Sequence, residues 1–81
     1  MTAIEKAKAG YWLFREAIRD LIAERGPLNP SDIEHILEDA LKMNMRGVTF
    51  ETMKRMTEMG ELHKGDGLKP PYSLPARSTH Q

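Results

Sequence analysis

Glu61-Leu62-His63-Lys64-Gly65-Asp66-Gly67-Leu68-Lys69-Pro70-Pro71-Tyr72-Ser73-Leu74 decides the fold class of this chain. Asp66-Gly67 supplies the backbone freedom of a tight turn, and the runs on either side read as strand and strand. Pro70 and Pro71 lack an amide hydrogen, so the second strand must be an edge or be interrupted there. Everything upstream carries helical spacing, which makes the expected class α+β, mainly helical, with three helices before the hairpin.

Immediately upstream, Thr49 is a plausible N-cap for a third helix running to Met59, with Gly60 closing it at the C′ position. Taking about 100° per residue and setting Met53 on the core puts Phe50, Met56 and Thr57 on the same side. Glu51, Lys54, Arg55 and Glu58 fall opposite, with Thr52 on one flank and Met59 on the other. Met43-Asn44-Met45-Arg46-Gly47-Val48 breaks the pattern, and Asn44 and Gly47 tolerate positive φ, so a short turn is expected. Five of the six Met lie between 43 and 59; they read as adaptable core filling, with a Met-rich binding groove as the alternative.

Further back, Ser31-Asp32-Ile33-Glu34 reads as a capping box that opens the second helix. Ile33, Ile36, Leu37, Ala40 and Leu41 complete an apolar face, with Glu34, Glu38, Asp39 and Lys42 outside it. Leu28-Asn29-Pro30 is a short extended connector, and Gly26-Pro27 stops the helix before it.

That first helix is expected over residues 1–25 as one long rod. From Thr2 to Glu24 there is no Pro and a single Gly, and Ile4, Ala7, Tyr11, Phe14, Ile18 and Leu21 recur in steps of three and four. At about 1.5 Å per residue it would reach roughly 34 Å, more than so small a domain needs. Either all its apolar residues are core, or Ile4, Ala7, Tyr11 and Trp12 overhang and pair with a second copy as a dimerisation arm. The expected domain is 1–74, and 75–81 is polar and aperiodic, an expected frayed tail.

Composition sets outer limits. With 81 residues and no Cys, the chain has room for one small core and no thiol chemistry. No apolar run approaches the roughly 20 residues of a membrane span, and Met1 to Lys6 lacks a signal-peptide apolar region, so a cytoplasmic location is expected. Twelve basic and twelve acidic residues give a net charge of zero, but the zero is a cancellation. Residues 16–41 hold seven acidic groups against Arg19 and Arg25, whereas 42–69 hold six basic against four acidic.

Gly26-Pro27-Leu28-Asn29-Pro30-Ser31-Asp32-Ile33, then Met53-Lys54-Arg55-Met56-Thr57-Glu58-Met59-Gly60-Glu61-Leu62, then Tyr72-Ser73-Leu74 resemble the corresponding stretches of winged helix-turn-helix domains. They are similar to the connector entering the second helix, the end of the recognition helix, and the closing strand of the wing. The resemblance, over about 26–74, implies a three-helix winged helix-turn-helix with a C-terminal two-stranded wing over 61–74. It also implies double-stranded DNA as partner, with the third helix in the major groove and the wing against the backbone.

On that resemblance, Arg55 is placed for bidentate contact to guanine, Thr52 for a base or phosphate, and Lys54 for a phosphate. Thr49 also belongs to this face. Arg46 in the preceding turn, and His63, Lys64 and Lys69 on the wing, are backbone candidates. Glu51 and Glu58 depart from a phosphate-binding surface, unless Glu51 accepts from a cytosine amino group; an ordinary Glu51–Arg55 ion pair on a solvated helix is the alternative. Gly60 to Lys64 followed by Pro70-Pro71-Tyr72 is also similar to the wing of domains that bind Z-form nucleic acid. The Asn and Tyr those domains use on the third helix are Phe50 and Lys54 here.

Nothing points to catalysis or a cofactor. His35, His63 and His80 have no metal-like spacing, Ser31, Ser73 and Ser78 lack a nucleophile context, and Gly65-Asp66-Gly67 is a hairpin turn rather than a phosphate loop. Two functions are therefore expected in competition. One is a homodimeric, sequence-specific DNA-binding transcriptional regulator. The other is a protein-interaction module that docks through Tyr11, Trp12 and Phe14 or through the acidic second helix.

Overall fold

The computed structural model describes residues 1–75, apart from the side chains of Tyr11 and Trp12. The expected tail falls, from residue 76 on, outside the described residues. The chain is mainly helical, with four helices and a small two-stranded antiparallel sheet in the order α1 (Ala3–Ala9), α2 (Tyr11–Arg25), α3 (Pro30–Leu41), α4 (Arg46–Glu58), β1 (His63–Lys64) and β2 (Tyr72–Ser73).

The single long first helix is not formed. Gly10 takes φ 149° and ψ 176°, a conformation that L side chains rarely adopt, and it splits the rod into α1 and α2. The Thr2 hydroxyl and Glu5 carboxylate form a capping box at the start of α1. α1 then lies along α2, with Lys6 Nζ 2.7 Å from Asp20 and 3.4 Å from Glu16. Ala3 is buried, and Ile4 and Ala7 pack against the core. The two residues expected on a protruding arm thus cover the chain's own interior; the side chains of their expected companions Tyr11 and Trp12 lie outside the described ones.

The core is built on α2, where Phe14, Ala17, Ile18, Leu21 and Ile22 are buried, against Ile33 and Leu37 of α3 and Met53 and Met56 of α4. α3 begins two residues earlier than expected. Asn29, not Ser31, is the N-cap: its side chain accepts from the Asp32 amide at 2.9 Å, and Asp32 accepts from the Asn29 amide at 3.2 Å. Pro30 explains the shift, because it fits the first helical position and holds Asn29 in the extended conformation an N-cap needs.

α3 ends with Lys42 at φ 58°, so the positive φ expected at Asn44 or Gly47 sits instead on a lysine. The turn that follows is short. Glu38 accepts from the Met45 amide, Asn44 accepts from the Arg46 amide, and α4 starts at Arg46, three residues before the expected N-cap.

Gly60 does close α4 at C′, with φ 82°. The Glu61 amide donates to Met56 at 2.7 Å and the Gly60 amide to Thr57 at 3.1 Å, the paired bonds of a Schellman ending. The hairpin then pairs His63 with Ser73 and Lys64 with Tyr72. Its second strand starts only after Pro70-Pro71, as their missing amide hydrogens require. Tyr72 also exchanges backbone hydrogen bonds with Leu28, at 2.8 and 3.1 Å, so the extended connector forms a third, bridging rung. Tyr72 is buried, whereas Leu74, just after the strand, is exposed.

Candidate nucleic-acid interface

Which side of α4 faces out follows from its packing. Met45, Thr49, Thr52, Met53 and Met56 are buried and form one stripe in steps of four, three, one and three. Two expected DNA contacts fall inside it. Thr49 is 0 % exposed and Thr52 is 3 % exposed, so neither reaches a partner at the surface. Thr49 is also a mid-turn residue of α4, not its N-cap.

The same rotation of the helix turns Phe50 outward. Expected on the core side with Met53, it is 50 % exposed. Glu51, Lys54 and Glu58 point most directly away from the core, with Phe50 and Arg55 roughly 140° apart on the two flanks of the outer face. Arg46, Lys54 and Arg55 are all exposed and, among the described residues, none of them forms an ion pair. The expected Glu51–Arg55 pair is therefore not made.

Beside α4 lies the hairpin, where His63, Lys64 and Lys69 are exposed. Between the two runs a groove of about 310 Å³, lined by Phe50 on α4 and by Lys64, Leu68, Lys69, Pro70 and Tyr72 on the hairpin. The N-terminus of α3 closes its far side through Asn29 to Ser31. The structure thus brings Lys64, Lys69 and Phe50 together, and Arg46, Lys54 and Arg55 onto the adjoining helix.

On α3 the charge has the other sign, and at the end of α4 it is neutralised internally. Asp32, Glu34, Glu38 and Asp39 belong to α3. Arg15 and Arg19, both on α2, converge on Glu61, and Arg15 is buried there. These two arginines and Glu61 escaped sequence reasoning as a cluster because nothing local links positions so far apart in the chain.

Among the described residues no group of three His, Cys, Asp or Glu is arranged to hold a metal ion, and no helix is long and apolar enough to cross a membrane. His80 and Ser78 lie outside the described residues. No family model, curated protein or solved structure matches the chain.

Proposed function

We propose that this chain is a winged helix-turn-helix DNA-binding protein, with α3 and α4 as the helix-turn-helix pair, α4 in the major groove, and the 61–74 hairpin as the wing against the backbone. The observation that carries the reading is the set of exposed cations without ion-pair partners among the described residues: Lys54 and Arg55 on the outer face of α4, Arg46 at its start, and Lys64 and Lys69 on the hairpin. Cations left free in the unbound protein are available to displace the counterions condensed on DNA. Arg55 is the base-reading candidate, through the paired acceptors of guanine, and Arg46, Lys54, Lys64 and Lys69 are phosphate contacts.

Glu51 and Glu58 on the same face oppose indiscriminate binding and favour sequence selection, with Glu51 able to accept from a cytosine amino group. The reading includes a homodimer on a palindromic site acting in transcription, since a second copy doubles a modest cationic surface. The test is selection from random DNA fragments at moderate salt, with wild type and the Lys54→Glu, Arg55→Glu double variant side by side. Enrichment of one motif by wild type and none by the variant supports it; no enrichment by either overturns it.

A second reading has a specific observation in its favour. Phe50 and Leu68 are exposed and line the same groove, which suits a protein-interaction module. It predicts that the charge-reversed variant retains function while loss of Phe50 removes it.

A further inference from the structure

The groove between α4 and the hairpin differs in charge from two other cavities among the described residues. The cavity lined by Arg25, Glu38, Asp39 and Lys42 has balanced charge, as does the one lined by Arg15, Arg19, Glu16 and Glu61. The α4–hairpin groove has Lys64 and Lys69 in its wall and no carboxylate at all. Neither lysine has an ion-pair partner among the described residues. The N-terminus of the 12-residue helix α3 borders the same space through Asn29 to Ser31, with the Asp32 carboxylate capping the Asn29 amide.

Between these charges the groove is apolar. Phe50 shows half of its surface, Leu68 is wholly exposed, and Pro70 and the edge of Tyr72 complete the wall. A half-exposed ring that shares a groove with two unpaired cations suits a ligand that joins anionic groups to a flat aromatic one. At about 310 Å³ the space is at the small end of ligand sites, enough for one such unit rather than a folded surface.

We propose that this groove takes an unpaired nucleotide adjoining the duplex, its base against Phe50 and its flanking phosphates at Lys64 and Lys69. The inference rests on the reading of α4 and the hairpin as a DNA-binding surface, and extends it to DNA with a single-stranded end or gap. An aromatic side chain beside a cationic track is the usual device for holding unstacked bases, and it is tolerant of sequence because every base has a π-face. The groove thus supplies affinity for strand structure while the outer face of α4 supplies site choice.

The test is fluorescence anisotropy with a mixed-sequence blunt duplex and the same duplex extended by a short oligothymidine overhang. Wild type should bind the extended duplex roughly ten-fold more tightly than the blunt one. Phe50→Ala should erase that difference while leaving blunt-duplex binding unchanged, and Phe50→Trp should restore it. Phe50 is half exposed, so both variants should fold, which thermal unfolding checks directly. Equal binding of the two duplexes by wild type, or an advantage that survives Phe50→Ala, overturns the inference while leaving duplex recognition standing. Failure to bind either duplex overturns both. Preference of the groove for an acidic peptide over the overhang would also overturn it, marking a protein-docking site.

Discussion

Arg15, buried on α2, pairs with Glu61, the residue that follows the glycine ending α4. Its guanidinium also lies 3.8 Å from the Met59 sulfur, and Arg19 reaches the other Glu61 oxygen at 3.7 Å. The paired bonds of the Schellman ending fix the direction in which the chain leaves α4, and this ion pair ties that exit to the central helix. The position of the hairpin relative to α4, and with it the groove, depends on the contact.

Glu61→Ala should therefore be strongly destabilising, because it removes the carboxylate facing a buried guanidinium. The expected loss is about 3 kcal/mol, seen as a lower urea midpoint with an unchanged slope. An effect within the range of ordinary surface substitutions would contradict the structural role given to the pair.

Gly10→Ala tests the break between α1 and α2. An alanine at φ 149° is strained, costing on the order of 1–3 kcal/mol. The thermal midpoint should fall, and the relief available to the variant is to straighten 2–24 into the rod that the apolar spacing alone suggests, lifting Ile4 and Ala7 from the core. An unchanged midpoint would mean that Gly10 is not held in this conformation.

The start of α3 gives a paired comparison. Asn29→Ala should cost about 1 kcal/mol, since it removes the acceptor for the Asp32 amide. Ser31→Ala, at an exposed position inside the first turn, should change stability by no more than about 0.5 kcal/mol. The reverse order would return the cap to Ser31.

Two groups near the N-terminus, the partly buried Lys6 and the exposed Glu5, set opposite pH limits. The hydrogen bond from Lys6 to Asp20 raises the lysine above its ordinary 10.5, assisted by Glu16. A raised value means that its contribution is complete below pH 10.5 and is lost as pH rises through the folded value. The Thr2 amide lowers Glu5 below its ordinary 4.5, so that contribution is complete above pH 4.5 and is lost as pH falls through the lowered value. Stability differences between wild type and Lys6→Met should be present at neutral pH and vanish in alkali, and those for Glu5→Ala should vanish in acid. Loss of either difference near neutral pH would contradict the assigned contacts.

How much of this was legible depends on the range over which each feature is determined. The inner face of α3 could be read from Ile33 and Leu37, the end of α4 from Gly60, and the late start of the second strand from Pro70-Pro71, because each is local. The break at Gly10 could not, since the three-four apolar spacing continues through it and only long-range contacts, such as Lys6 with Asp20, favour the fold-back. Centring the buried face on Met53 alone puts Phe50 on the core side and Thr52 on a flank, and a turn expected over 43–48 makes Thr49 an N-cap. Packing of the Met45, Met53 and Met56 stripe against α2 and α3 set the rotation of the helix and reversed all three. Of the expected DNA-facing residues, Arg46, Glu51, Lys54, Arg55, His63, Lys64 and Lys69 remain at the surface.

DNA binding of wild type beside Arg55→Ala, measured across a salt series on a selected site and a scrambled one, bears most directly on the proposed function. Four phosphate contacts per chain, doubled in the proposed homodimer, predict that log K falls against log salt with a slope of roughly −7. Arg55→Ala should lose roughly ten-fold or more on the selected site and little on the scrambled one, because the lost contact reads a base. A flat salt dependence, or equal losses on both sites, would contradict a base-reading α4 beside a phosphate-binding hairpin.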